Sequence, residues 1–107
     1  MNKWDTKRTE ELYKIILSLK NIQEARDFFR DLLTEQEIVE LGNRWRAARM
    51  LNQNIPYSQI IEKTGLSSTT VARISKWLKK SKGGYKKMLQ RINGHRHNSS
   101  SSGKGLF

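Results

Sequence analysis

Apolar positions recur at spacings of three and four over most of the chain, which is the helical period. Between residues 5 and 20, Leu12, Ile15, Ile16 and Leu19 fall on one stripe with Lys14 and Lys20 off it, so the pattern predicts a helix. Asn21 followed by Glu24 has the form of a capping box that opens a second helix, containing Ala25, Phe28, Phe29, Leu32 and Leu33. Thr34 followed by Glu37 repeats the device and opens a third helix reaching about Leu51, with an expected apolar face of Ile38, Leu41, Trp45, Ala48 and Leu51. Gly42 lies on a neighbouring face, where it would let another helix approach closely. The polar run Asn52-Gln53-Asn54 ends this helix.

The stretch from Pro56 to Lys80 reads as two helices joined at a tight corner. Pro56 suits a helix start because its missing N–H costs nothing there, and Tyr57 to Lys63 carries apolar Ile60 and Ile61. Ile61 stands where compact motifs of this kind carry a small residue, so the pair is expected to cross more loosely. Thr64-Gly65 closes the first helix, since glycine accepts the left-handed backbone past a helix end. Leu66 drops into the angle and Ser67 is a natural N-cap. The second helix is expected from about Ser68 to Lys80, with Val71, Ile74 and Leu78 inward and Ser68, Thr69, Ala72, Arg73 and Lys76 outward. This is the grammar of a helix-turn-helix, whose second helix enters the DNA major groove. Gly83-Gly84 then breaks the chain, and Tyr85 to Asn93 forms one further helix through Tyr85, Met88, Leu89 and Ile92. Residues 94–107, GHRHNSSSSGKGLF, lack periodicity and read as a disordered basic, Ser/Gly-rich tail. No strand-like alternation of useful length occurs, so the fold class is all-α, a single helical domain over residues 1–93 with the helix-turn-helix at 57–80.

Charge sharpens the picture. Residues 1–62 hold all 10 acids and 10 of the 21 Lys/Arg, whereas residues 63–107 hold 11 basic residues and no acid. The net charge of +11 therefore begins at Lys63, inside the proposed motif, and a one-sided basic half is the footprint of a polyanion binder. A hydrophobic content of 36% in 107 residues leaves a thin private core, which a second copy of the chain would complete. No cysteine is present, excluding disulfides and thiol chemistry. The longest apolar run near the N-terminus, Ile15-Ile16-Leu17, is far short of a signal core, and no membrane span is expected; the chain reads as cytoplasmic and nucleoid-associated.

Little else suggests chemistry. The acids sit among Lys and Arg, as caps and ion pairs rather than as a general acid and base. His95 and His97 lie beside Arg96 with no third ligand, so no metal or other cofactor is expected. Gly83-Gly84 lacks the phosphate-loop pattern, and Trp45 and Trp77 read as core or interface residues. An enzyme is not expected.

At LLTEQEIVELGNRWRAARML and YSQIIEKTGLSSTTVARISKWL, from about Phe28 to Lys80, the sequence resembles the Trp repressor family, specifically its Trp-repressor-related (YerC/YecD-type) branch. The tokens are Leu32-Leu33-Thr34, the Leu41-Gly42-x-Arg44 step, and the stretch from Gly65 to Arg73. The resemblance implies an intertwined all-helical homodimer presenting two recognition helices to a near-palindromic operator on double-stranded DNA. It also implies an effector pocket, in which Thr34, Arg44, Thr70 and Arg73 match family positions. Where the family has glycine and serine, however, this chain has Ile74 and Trp77, both bulkier. Tryptophan is therefore not expected as corepressor; Arg44 and Arg73 are expected to serve packing, ion pairs or phosphates, and Trp77 to fill the remnant pocket from within.

The function expected is that of a sequence-specific DNA-binding transcriptional regulator, a repressor acting as a homodimer. Ser68, Thr69 and Ala72 are the candidates for base readout, because short hydroxyls and a methyl approach base edges closely. Tyr57 and Ser58 are candidates for backbone or flanking contacts, and Arg73, Lys76, Lys79 and Lys80 for phosphates. Two alternatives stand beside this reading. One is a sequence-nonspecific nucleic-acid-binding basic protein, favoured by Lys82, Lys86, Lys87, Arg91 and Arg96. The other is a helical protein-interaction module.

Overall fold

The computed structural model describes residues 2–80 and 82–98. Their regular elements are α1 (Lys7–Leu17), α2 (Ile22–Leu32), α3 (Glu35–Asn52), α4 (Tyr57–Thr64), α5 (Ser68–Leu78) and α6 (Gly84–Asn98), with no strand among the described residues. The chain divides into two compact units, Met1–Ile38 and Val39–Phe107, with the boundary falling inside α3.

In the first unit the helices are defined by their ends. Thr6 caps α1 by accepting from the Thr9 amide at 3.3 Å, while the Thr6 amide donates to Thr9 Oγ1 at 2.8 Å. This reciprocal pair moves the start from residue 5 to Lys7, and Ser18 ends the helix short of residue 20. Asn21 Oδ1 accepts from the Glu24 amide at 2.9 Å, but the Glu24 carboxylate accepts from the Lys20 amide at 3.0 Å, so the expected box is displaced by one residue. Thr34 and Glu37 do form the complete box, at 3.1 and 2.9 Å. Phe28 and Phe29 meet edge to face at 5.6 Å. No residue of α1 or α2 is buried, and Leu17 and Ile22 are 83% and 72% exposed.

The second unit has a core of Ala47, Ala48, Met50, Ile60, Leu66, Val71 and Ile74, with Trp45, Leu51, Ile55, Ile61 and Tyr85 partly buried against it. Ile60 and Val71 are fully buried, each contributing roughly 1.5–3 kcal/mol of apolar burial. The expected inward face of α3 is corrected here: Leu41 is 51% exposed, whereas Ala47 and Met50 are in the core. Apolar residues occupy more than one stripe of α3, so spacing alone could not say which stripe faces α4 and α5. A Cβ added to Gly42 would meet nothing within 4 Å among the described residues, so the helix expected to approach it is not supplied there.

Helix α6 runs five residues beyond Asn93, the expected end, to Asn98, so the reading of a disordered tail from Gly94 is corrected for residues 94–98. Gly94 weakens a helix interior by only about 1 kcal/mol and no proline interrupts the segment. The remainder of the expected tail, residues 99–107, lies outside the described residues. On α6, Leu89 is buried and the Tyr85 ring stacks on Trp45 with centroids 6.4 Å apart.

Candidate nucleic-acid interface

The corner between α4 and α5 is fixed by four consecutive residues. Gly65 has φ 73, the left-handed conformation that side chains resist, and its N–H donates to the Ile61 carbonyl at 2.9 Å. Buried Thr64 donates its hydroxyl to the Ile60 carbonyl at 2.7 Å and accepts from the Leu66 amide at 3.3 Å. Leu66 is buried in the angle, and Ser67 Oγ accepts from the Thr70 amide at 3.1 Å. Sequence reasoning found Gly65, Leu66 and Ser67 in these roles and placed Thr64 at the helix end; it missed the Thr64 hydroxyl, which locks the turn from inside.

This corner sets the rotation of α5. Val71, Ile74 and Ser75 are buried, while Ser68, Thr69, Ala72, Arg73 and Lys76 are exposed together on the opposite side. The recognition candidates thus form one outward face of hydroxyls, a methyl and cations without a carboxylate. Leu78 ends α5, two residues before the expected end, and Lys79 is its C-cap. Lys80 Nζ lies 3.8 Å from the centroid of the Trp77 ring, a cation–π contact that partly commits it. Tyr57 and Ser58 are exposed in the first turn of α4, behind the N-cap Pro56. On α6, Lys87 and Arg91 are exposed and Lys86 is half-buried.

The remnant-pocket residues are divided between the two units. Thr34 belongs to the first unit, where its hydroxyl accepts from the Glu37 amide. In the second unit, Arg44 is held by Glu40 at 2.9 Å, an ion pair of the kind expected, and its Nε is buried without a partner. The Thr70 hydroxyl is 3.0 Å from that of Ser67, Ile74 is buried in the core, and Arg73 is exposed. Trp77 is half exposed and lines a largely apolar cavity of about 490 Å³ with Trp45, Gly83, Gly84, Tyr85, Lys87 and Met88. Arg44, Thr70 and Arg73 take no part in that cavity. Among the described residues no group of three or more metal-ligating side chains forms, and no helix is long and apolar enough to cross a membrane. The side chains of His95 and His97 lie outside the described ones.

The family model for the Trp repressor protein matches residues 7–93. The uncharacterized protein YerC of Bacillus subtilis (strain 168) is 37% identical over 86 residues, covering 80% of this chain and 83% of its own. The crystal structure of a TrpR-like protein from Eubacterium eligens superposes with a TM-score of 0.80 at 40% identity, covering 87% of this chain and 96% of that one. A second solved structure, from Staphylococcus aureus, gives 0.77 at 34% identity, covering 85% and 91%. The family match extends from α1 into α6, well beyond the helix-turn-helix. The chain belongs to the Trp repressor family, a family of DNA-binding regulators.

Proposed function

We propose that this chain is a homodimeric, sequence-specific transcriptional repressor that reads a near-palindromic operator through α5 and does not use tryptophan as corepressor. The observation that carries the reading is the outward face of α5. Its short side chains Ser68, Thr69 and Ala72 are those that fit against base edges, and Arg73 and Lys76 beside them suit phosphates. Lys79, at the end of α5, and Tyr57 and Ser58, in the first turn of α4, flank that face. Lys80, drawn over Trp77, is the weakest member of the phosphate set.

The first unit, together with Gly42 of the second, supports the dimer. Two amphipathic helices without a buried residue leave apolar surface that a second copy would cover, and Gly42 with open space around it suits close approach by a helix of that copy. Repression would be steric, a dimer occupying an operator that overlaps a promoter. Indifference to tryptophan is supported by Ile74, which fills the core where an indole would need room, and by Arg44, already paired with Glu40.

Selection of fragments from a random duplex pool at near-physiological salt, with and without tryptophan, tests this reading. A two-fold-symmetric motif unaffected by tryptophan is the expected result. Retention of all sequences alike would favour the sequence-blind alternative, for which exposed Lys87 and Arg91 on acid-free α6 speak. No retention at either condition would leave a protein-interaction module.

A further inference from the structure

A second cavity, of about 410 Å³, opens in the second unit among the end of α3, the turn before α4 and the end of α5. Leu51, Ile55 and Leu78 form its apolar wall. Asn52, Asn54, Tyr57, Ser75 and Lys79 bring two amides, two hydroxyls and an ammonium group, and no carboxylate lines it. It shares no residue with Thr34, Arg44, Thr70, Arg73, Ile74 and Trp77, so it is separate from the effector pocket that the family resemblance implies.

Ser75 supplies this cavity with a polar anchor. The residue is only 8% exposed, it lines the cavity, and its hydroxyl makes no hydrogen bond among the described residues. A serine within a helix can satisfy itself on the carbonyl four residues back. Here no such bond is made, and Ser75 Oγ is not sealed among the enclosed polar atoms, so the hydroxyl is open to what enters the cavity. The volume is that of a small-molecule site, in which an apolar body is oriented by a few polar groups.

We propose that this cavity binds a small carboxylate with an apolar body, and that its occupation weakens DNA binding. The body would lie against Leu51, Ile55 and Leu78, with the carboxylate accepting from Ser75 Oγ and the Lys79 ammonium. The regulatory half rests on the proposed DNA reading, because Tyr57 and Lys79 belong to both sets of residues. A carboxylate held on Lys79 takes a cation away from a phosphate, and DNA bound there must in turn weaken the carboxylate by the same factor.

Hexanoate and 3-phenylpropanoate are the probes, titrated into the full chain without DNA while backbone amides are followed by NMR. Saturable shifts at Leu51 to Tyr57 and Ser75 to Lys79 are expected for at least one probe, weakened about tenfold by Ser75→Val, which fills the space, and by Ser75→Ala, which removes only the hydroxyl. No saturable shift with either probe would overturn the site. So would shifts centred on Trp45, Trp77 and Met88, or variants that bind as tightly as the unmodified chain. The DNA arm is read separately: saturating probe should lower DNA affinity about fivefold or more in the unmodified chain, and not in Ser75→Ala. Probe binding with unchanged DNA affinity would overturn the coupling. Absence of DNA binding without probe would refute the DNA reading while leaving the carboxylate site to stand on its shifts.

Discussion

The two units solve the problem of helix stability differently. In Met1–Ile38 the helices are held by well-formed ends, and yet none of the residues of α1 or α2 is buried. In Val39–Phe107 the α4–α5 corner has its own core, with Ile60 and Val71 fully enclosed and the turn locked by Thr64 and Gly65. Caps say where a helix starts and stops and contribute about 1 kcal/mol each. Helices of 11 residues are marginal in water without tertiary burial, so the first unit depends on surface it does not itself contain. The second unit must instead hold one helix at a fixed rotation, and for that it keeps a private core.

The largest expected effect strikes the second unit. Ile60→Ala should cost about 2–5 kcal/mol by denaturant unfolding, because it empties a closed site between α4 and α5. Leu17→Ala tests the first unit: at 83% exposure it would be nearly neutral in an isolated chain. With a second copy covering it, a loss of about 2 kcal/mol is expected, together with a melting temperature that rises with protein concentration. Gly65→Val should cost about 1–2 kcal/mol through its left-handed backbone and lower DNA affinity with it. Gly42→Ala turns on its sign. In open space alanine stabilises a helix by about 0.5–1 kcal/mol, whereas destabilisation and a shift towards monomer in sedimentation are expected here. The smallest effect is Lys79→Gln, which should reduce the salt slope of log affinity by about 0.9 for every sequence alike.

Much of this division was legible in the residues. The Thr34–Glu37 box, the Gly65 turn and the Ser67 cap depend on neighbours in sequence, and the structure has all three. The Thr6–Thr9 pair was missed because a threonine replaces the usual Glu or Gln at the reciprocal position. The inward face of α3 was misread because that helix is apolar on more than one side, and small Ala47 and Ala48 give a weak periodic signal. Helix α6 outran its expected end because residues 94–98 lack a hydrophobic stripe but also lack a helix breaker. The outward face of α5 could be read from period alone. The Ser75 cavity could not, since residues from three separate segments meet only after folding.

The claim that α5 reads bases through its exposed face is tested most directly by repeating the random-pool selection with Thr69→Ala and Lys79→Gln beside the unmodified chain. The account predicts a changed motif for Thr69→Ala, and an unchanged motif with weaker retention for Lys79→Gln. One motif shared by all three proteins, with Thr69→Ala retained as well as the unmodified chain, would contradict it.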